Sequence, residues 1–143
     1  MPGMIDLTGL AESINGAFGR GRPLVVGYVD ADDRPAMSFR GSARVHSNDQ
    51  LVVWARKRNE GLAADIDEHP AVQVLYFDPS GPGPRYLSIL GRAHVDDAAS
   101  DAVYGVIPGP EQDHDPEKAG VAVVIDVDSV LGFGADGAFQ QAR

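Results

Sequence analysis

The stretch Pro35-Ala-Met-Ser-Phe-Arg-Gly-Ser-Ala-Arg-Val-His46 alternates between apolar or small residues and polar residues. Alternation with a period of two predicts one continuous β-strand over residues 35–46. The odd-numbered side chains, which include Met37 and Phe39, form its apolar face and are expected to point into the interior of a barrel. The opposite face is polar and consists of Ser38, Arg40, Ser42, Arg44 and His46.

A polar turn at residues 47–50 and the apolar run Leu51-Val-Val-Trp-Ala55 follow, and together they predict a β-hairpin. Further runs predict four more strands, at residues 24–30, 71–78, 85–95 and 121–131. Short connections, such as the breaker-rich turn over residues 79–84, favour antiparallel pairing. Short helices are expected at residues 8–18, 60–68 and 97–106. The sequence therefore predicts an α+β fold, mainly β with short helices, in which six antiparallel strands form a small barrel.

Three cations lie where the predicted helix over residues 60–68 begins. Arg56, Lys57 and Arg58 precede Asn59, a favoured N-cap, and Arg40 lies on a neighbouring strand. A helix N-terminus presents unpaired N–H groups and the positive end of the helix dipole, which together bind phosphate or carboxylate. Arginine adds bidentate hydrogen bonds, and lysine adds a point charge. This pattern predicts an anion-binding cradle; the alternative is a solvated charge run in an exposed loop.

Composition narrows the class of function. The 143 residues fit a single domain with its core at residues 24–131 and a loosely held tail after Gly132. There are 12 Lys and Arg against 21 Asp and Glu, and the net charge of −9 argues against binding to nucleic acid. No apolar run is long enough to span a membrane, and the first six residues do not resemble a signal peptide, so a cytoplasmic protein is expected.

Side chains that could perform chemistry by themselves are scarce. The chain contains no Cys, which excludes thiol nucleophiles, disulfides and thiolate metal sites. The four His residues show no metal-ligand spacing, and no Ser lies in a nucleophile-elbow motif, so neither a metal site nor a catalytic residue is predicted. A chain with an anion cradle and no reactive side chains is expected to take its chemistry from a bound cofactor.

Several short motifs resemble one protein family. They are Asp33-Arg-Pro35, Ser38-Phe-Arg-Gly-Ser42, Trp54-Ala-Arg56, His69-Pro-Ala-Val72 and the strand centred on Gly91-Arg92-Ala93. In this order they are similar to the pyridoxamine 5′-phosphate oxidase-like family, over residues 24–131. The resemblance implies a split β-barrel of Greek-key type that forms a homodimer, with an FMN site in each of two grooves between the subunits.

The resemblance also implies which residues bind the cofactor. On the first strand pair it implies Ser38, Arg40, Gly41 and Ser42, and at the end of the next strand Trp54, Ala55 and Arg56. The charge pattern adds Lys57, Arg58 and Asn59. The family commonly has Ser-x-Lys where this chain has Glu60 and Leu62, so one of the four cations of the cradle would replace that lysine.

Three functions are compatible with this pattern. The first is an FMN-dependent oxidoreductase that acts on a small-molecule substrate. The second is a reductase of the same fold that uses the deazaflavin coenzyme, whose acidic tail would also require cations. The third is a non-catalytic protein that binds or stores flavin.

Two further expectations concern surfaces. Tyr86, Leu90 and Trp54 are apolar residues on otherwise polar faces, which indicates that a second subunit covers them. The polar segment over residues 110–120 is expected to border the flavin site, where His114 and Lys118 could donate hydrogen bonds.

Overall fold

The structure is a computed structural model that describes residues 4–81 and 83–143. Pro82, which belongs to the predicted turn over residues 79–84, lies outside the described residues. The first three residues, on which part of the signal-peptide prediction rests, also lie outside them.

The described residues form eight strands, which are β1 (Leu24–Val29), β2 (Pro35–Arg40), β3 (Arg44–Ser47), β4 (Gln50–Ala55), β5 (Ala71–Phe77), β6 (Tyr86–Val95), β7 (Val121–Gly134) and β8 (Gly137–Ala142). They make one antiparallel sheet in the order β2-β1-β5-β6-β7-β4-β3, with β8 beside β7. The predicted class, an antiparallel and mainly β fold with short helices, is confirmed. The sequence predicts six strands, and the two additional ones are β3 and β8.

The prediction of a single strand over residues 35–46 is wrong, because the chain turns at residues 41–43. β2 pairs with β1 at one edge of the sheet, whereas β3 pairs with β4 at the other edge. Gly41 permits this turn, since a Cβ atom there would lie 2.6 Å from the ring of Phe18. One alternating stretch therefore supplies both edges of the sheet.

The faces of β2 are reversed relative to the prediction. Met37 and Phe39 are each 73% exposed, whereas Ser38 and Arg40 are half-buried on the inner side. Alternation identifies two faces of a strand but does not say which one meets the core. For β6 the predicted inner face is confirmed except at its exposed end, Val95; the buried residues are Leu87, Ile89, Gly91 and Ala93.

Four short helices lie around the sheet, namely α1 (Ala11–Gly16), α2 (Leu62–Asp65), α3 (Ser100–Tyr104) and α4 (Gly109–Asp113). Turns of 3-10 helix at Thr8–Leu10 and Phe18–Arg20 flank α1, and another at Asp97–Ala99 precedes α3. The helix expected over residues 60–68 is reduced to α2. Within the part of the chain that the structure describes, no helix is both long and apolar enough to cross a membrane.

Two hydrophobic clusters form the core. The larger one packs the inner face of the sheet against α1 and α2, and its members include Leu24, Val74, Tyr76, Leu87 and Ile89. The smaller one lies beneath α3 and consists of Val52, Trp54, Val103, Ile107, Ala122 and Val124. Both faces of β4 and of the first half of β7 are therefore buried. Trp54 is only 4% exposed, so its expected place on an exposed face is wrong.

The C-terminal tail belongs to the sheet, which corrects the expectation of a loosely held end. β8 pairs with β7 along its whole length. Arg143 fixes the end of this hairpin, because its Nη2 lies 2.8 Å from Asp49 Oδ2 and its Nε donates to the Val127 carbonyl oxygen at 2.8 Å. The sequence Gly137-Ala-Phe-Gln-Gln-Ala142 has one large apolar residue, too few for periodicity to predict a strand.

Three adjacent rows of side chains on one outer face of the sheet contain no charged residue. The next row on the same face contains Arg92 and Asp126, which bound this surface. Cross-strand pairing aligns three rows of side chains on this surface, which we call the outer apolar face. The rows are Phe39, Val25, Leu75, Ser88 and Leu131; Met37, Gly27, Gln73, Leu90 and Ser129; and Phe77, Tyr86 and Phe133. Six large apolar side chains among them are 47–73% exposed.

Candidate anion-binding site

A cavity of about 730 Å³ opens where the ends of β2 and β4 meet the segment that follows α4. Four of the predicted cofactor-binding residues lie together on its wall, namely Arg40, Ala55, Arg56 and Lys57. The remaining lining residues come from the start of α2 and from the segment after α4; they are Glu60, Gly61, Leu62, His114 and Asp115. The cavity therefore combines three cations, one from the end of β2 and two from the segment that follows β4.

Arg40 is the most unusual of these cations. It is half-buried, and its Nε lies in the interior without a hydrogen-bond partner among the described residues. Burial lowers the pKa of Arg40, Arg56 adds to that effect, and Tyr28 and Glu111 oppose it. A buried guanidinium that keeps its charge requires an anionic or hydrogen-bonding partner. The unpaired Nε and the cost of burying its charge make Arg40 a candidate to hold an anion.

Arg56 and Lys57 are exposed cations on the same wall. No carboxylate of the described chain lies within 4.0 Å of the guanidinium nitrogens of Arg40 or Arg56. Lys57 differs, since its Nζ lies 2.9 Å from Glu60 Oε1. Exposed ion pairs contribute only about 0–1 kcal/mol, so Lys57 can exchange this partner for a ligand at small cost.

The expected helix N-terminus does not form the cradle. α2 begins at Leu62, and its N-cap is Gly61 with φ 62°, not Asn59. The helix has four residues and its N-cap makes no side-chain hydrogen bond. Because the dipole of so short a helix is small, the positive potential of the cavity comes from side chains rather than from a helix end.

Arg58 and Asn59 lie outside this cavity. The Arg58 guanidinium donates to both carboxylate oxygens of Asp97, at 2.9 and 3.2 Å, and to the carbonyl oxygens of Ala119 and Gly120. The hydrogen bond to Asp97 raises the pKa of Arg58. Both residues line a different cavity of about 610 Å³, on the side of α2 that faces the end of β6. The predicted run of three cations is thus divided between two surfaces.

The remaining predicted residues have different environments. Ser38 lies on the same face of β2 as Arg40, and its Oγ is buried without a partner among the described residues. Ser42 is buried, and its Oγ accepts a hydrogen bond from the Trp54 backbone N–H at 2.9 Å, which ties the turn after β2 to β4. Gly41 packs against Phe18. Of these three residues, Ser38 alone has a buried polar atom without a partner in the described chain, although Ser38 does not line the cavity.

Asp115 is a lining residue of the segment expected to border the site, but the sequence analysis assigns no role there to Asp115 itself. Its carboxylate accepts hydrogen bonds from the Trp54 indole N–H at 2.9 Å, the Ala119 N–H at 3.0 Å and the Gly120 N–H at 2.9 Å. Burial alone would raise the pKa of Asp115, but these three donors and the charge of Arg56 outweigh it and lower the pKa below its ordinary value.

The segment over residues 110–120 contributes one of its two expected residues. His114 lines the cavity, whereas Lys118 lies elsewhere, with its Nζ 2.8 Å from Asp101 Oδ1 and 5.6 Å from the centre of the Tyr104 ring. The single proton of the Tyr104 hydroxyl lies within reach of the Asp115 carbonyl oxygen at 2.9 Å and the Gln112 carbonyl oxygen at 3.2 Å, which holds the segment in place. Among the described residues, no group of three or more His, Asp or Glu is arranged to hold a metal ion.

Comparison with known proteins gives matches in structure only. No protein-family model matches the sequence, and no curated protein matches it either. A pyridoxamine 5′-phosphate oxidase-related, FMN binding protein from Nostoc punctiforme superposes with a TM-score of 0.67 at 14% identity, over 98% of each chain.

Two further solved structures have the same architecture. General stress protein 26 from Bacillus anthracis gives a TM-score of 0.65 at 19% identity, over 95% of this chain and 100% of that one. A protein of Clostridium acetobutylicum related to general stress protein 26, described as of the pyridoxinephosphate oxidase family, gives 0.63 at 12% identity, over 96% of both chains. The resemblance found in the sequence is thus confirmed at the level of the fold.

Proposed function

We propose that this protein binds FMN with the phosphate group in the cavity between β2 and β4, and that it is an FMN-dependent oxidoreductase acting on a small molecule. The observation that carries the proposal is Arg40, a half-buried guanidinium without an anionic partner beside a second such cation, Arg56. In a chain with a net charge of −9, two unpaired arginines in one cavity are best explained by an anionic ligand.

A phosphate monoester suits this site better than a carboxylate. It carries up to two charges and three terminal oxygens, and two guanidinium groups can satisfy these with bidentate hydrogen bonds. Arg40 and Arg56 would take over the role of the lysine that the related family has at position 62, where this chain has an apolar leucine. Ser38 Oγ, buried and unpaired, supplies a further polar group beside Arg40.

When bound, the flavin supplies hydride or electron transfer, and the protein supplies binding and orientation. Arg40 and Arg56 hold the phosphate, and β2 and the segment after α4 form the walls that position the rest of the cofactor. His114 on the cavity wall offers a ring N–H that can donate a hydrogen bond to cofactor or substrate. The small-molecule substrate would approach from the open side of the cavity.

Two other functions use the same residues. A deazaflavin coenzyme would place its acidic tail on these cations, and a storage protein would bind FMN without turnover. The absorption spectrum of the purified protein and the cofactor released on denaturation separate FMN from deazaflavin. Turnover with a reduced nicotinamide separates an enzyme from a storage protein.

We also propose that the sheet is the split barrel implied by the resemblance and that two copies associate through the outer apolar face. Leu90 and Tyr86, on which the prediction from sequence rests, belong to this face, and Met37 and Phe39 of β2 extend it. An exposed apolar surface of three adjacent uncharged rows, in an acidic protein, favours coverage by a second subunit. Because β2 presents Ser38 and Arg40 on its other face, the proposed interface lies close to the cofactor site.

The test compares FMN with riboflavin, which lacks the phosphate. Charge-assisted hydrogen bonds contribute about 1.5–3 kcal/mol, so Arg56→Ala and Arg40→Ala should each weaken FMN binding by roughly tenfold to a hundredfold and leave riboflavin binding almost unchanged. Arg58→Ala is the matched control: it removes the same charge two residues away, outside the cavity, and should leave FMN affinity unchanged. Equal FMN affinities in all three variants and the wild type would refute the phosphate site.

A further inference from the structure

Asp115 places a negative charge on the wall of a cavity proposed to bind a phosphate. Its side chain lines the cavity, and the residue is 7% exposed. A carboxylate near a bound phosphate repels it, and the repulsion is strong where water is partly excluded. If Asp115 only repelled the phosphate, it would weaken binding. A favourable contribution of Asp115 to the site would offset this repulsion.

The hydrogen bonds of Asp115 indicate that contribution. Three donors converge on one carboxylate: the indole of Trp54 in the smaller core cluster and the backbone N–H groups of Ala119 and Gly120. Charge-assisted hydrogen bonds of this kind are roughly twice as strong as neutral ones. Asp115 thus fastens the segment after α4 to the buried ring of the residue that precedes Ala55 and Arg56.

The packing of Gly120 transmits this restraint to the cradle. A Cβ atom at Gly120 would collide with the Ala55 carbonyl oxygen and would lie 2.9 Å from the Arg56 Cα atom. The backbone of Gly120 is therefore in direct contact with the segment that carries the phosphate-binding arginine. Loss of the Asp115 hydrogen bonds would allow Gly120 to move away from Ala55 and Arg56, and the backbone of Arg56 would then be less restrained.

We propose that Asp115 is a positioning residue, which holds residues 115–120 against the end of β4 and so keeps Arg56 on the cavity wall together with Arg40. This inference rests on the proposed function, because the role assigned to Asp115 is to position Arg56 for binding the FMN phosphate. A purely electrostatic role and a positioning role predict effects of opposite sign. Removal of the charge alone would strengthen phosphate binding, whereas loss of positioning would weaken it.

Asp115→Asn is the decisive variant. Asparagine has nearly the same size, but it loses the charge and directs an NH₂ group toward donors that need an acceptor. We expect FMN affinity to fall by about tenfold or more and riboflavin affinity to change by less than about twofold, since only FMN has the phosphate that Arg56 contacts. Asp113→Asn, an exposed neutralisation two residues earlier, is the matched control and should bind FMN like the wild type.

The protein has a single tryptophan, which provides a second readout. Because the Trp54 indole donates to Asp115, its fluorescence emission should shift in Asp115→Asn without any ligand and should stay unchanged in Asp113→Asn. FMN affinity that is unchanged or increased in a folded Asp115→Asn variant would overturn the positioning role and leave the FMN proposal intact.

Two further measurements keep the outcomes distinct. If the wild type binds no FMN, orthophosphate is titrated instead. Weaker orthophosphate binding in Asp115→Asn than in the wild type supports the positioning role. A wild type that binds neither FMN nor orthophosphate refutes both proposals. If Asp115→Asn does not fold, Trp54→Phe takes its place, because it removes one donor and retains the carboxylate and both backbone bonds. We expect about threefold weaker FMN binding in that variant, with riboflavin unaffected, and an unchanged FMN affinity would overturn the inference.

Discussion

Asp78 shows how an ion pair with one buried partner fixes the N-terminal segment of this protein. Arg20 Nε lies 2.8 Å from Asp78 Oδ2, and Arg20 Nη2 donates to the Tyr76 hydroxyl at 2.8 Å and the Ser13 carbonyl oxygen at 2.9 Å. The Asp78 side chain is 2% exposed. These bonds join the turn at Phe18–Arg20, which also covers Gly41, to the end of β5. Arg20 thereby stabilises Phe18–Arg20, the segment that packs against the turn at residues 41–43 directly after Arg40.

This pair predicts a pH dependence of stability. The hydrogen bond from Arg20 is the main cause that lowers the pKa of Asp78 below its ordinary value of 3.8. Because the folded-state pKa is the lower one, the stabilisation is fully present above pH 3.8 and is lost as the pH falls through the folded-state pKa. Asp78→Asn should lower the melting temperature at pH 7 and flatten its decline in acid. Thermal unfolding between neutral and strongly acidic pH measures both effects.

Asp136→Asn is the control for that experiment, since Asp136 is an exposed residue with no side-chain hydrogen bond in the described chain. Its melting temperature should follow the wild-type curve at every pH. An Asp78→Asn variant with that same behaviour would show that the pair does not stabilise the fold.

The strands illustrate what periodicity predicts and what it leaves open. The bounds of β1, β5 and β6 agree with the predicted strands to within one residue, because each has a clear alternation or apolar run between turns. β2 and β3 were predicted as one strand, since the small residues Gly41 and Ala43 continue the alternation through a turn. β8 has almost no apolar pattern and forms through pairing with β7. Local sequence thus predicts strands but not the tertiary contacts that divide or create them.

Glycine within a strand often marks a close approach of two backbones, and Gly91 on β6 is such a position. A Cβ atom there would collide with the Asp126 carbonyl oxygen of β7 and lie 2.9 Å from Ile125 Cγ2, next to the irregular register at Leu90. Gly91→Ala should therefore destabilise the fold by about 1–3 kcal/mol. Gly19→Ala is the control, because nothing lies within 4 Å of its Cβ position. Denaturant unfolding measures the difference, and equal midpoints would contradict this packing.

At the scale of the whole molecule, the candidate site depends on segments that are distant in sequence. Charge and resemblance predicted Arg40, Ala55, Arg56 and Lys57, all of which line one cavity. The same pattern also included Arg58, whose side chain lies on another surface because Asp97 and two backbone carbonyl groups bind it. The segment of Asp115 was expected at the site, but neither Asp115 nor Gly61 was identified individually, since their contacts depend on where the fold brings them. Sequence therefore predicts which charged residues contribute to such a cavity more readily than which other residues line it.

The proposed association of two subunits depends on which face of β2 points outward, and that face is the opposite of the one predicted from the sequence. With Met37 and Phe39 outward, the three uncharged rows of the outer apolar face extend over as many as five strands, and Arg92 and Asp126 lie in the row beyond them. We expect the wild type to have twice the chain mass at micromolar concentration, because burial of such a surface stabilises a dimer by about 25 cal/mol per Å² of apolar area, before the cost of association. A lysine in place of Phe39 would put a charge into that interface.

Phe39→Lys should therefore have the mass of a single chain by light scattering coupled to size exclusion. The matched control is Val106→Lys, because Val106 is also an exposed apolar residue, 53% accessible, but lies outside the outer apolar face. That control should keep the wild-type mass, which separates loss of the interface from a general effect of added charge. Thermal unfolding of both variants establishes that they are folded. A wild type with the mass of one chain, or a folded Phe39→Lys variant with the mass of two, would show that this face does not join the subunits.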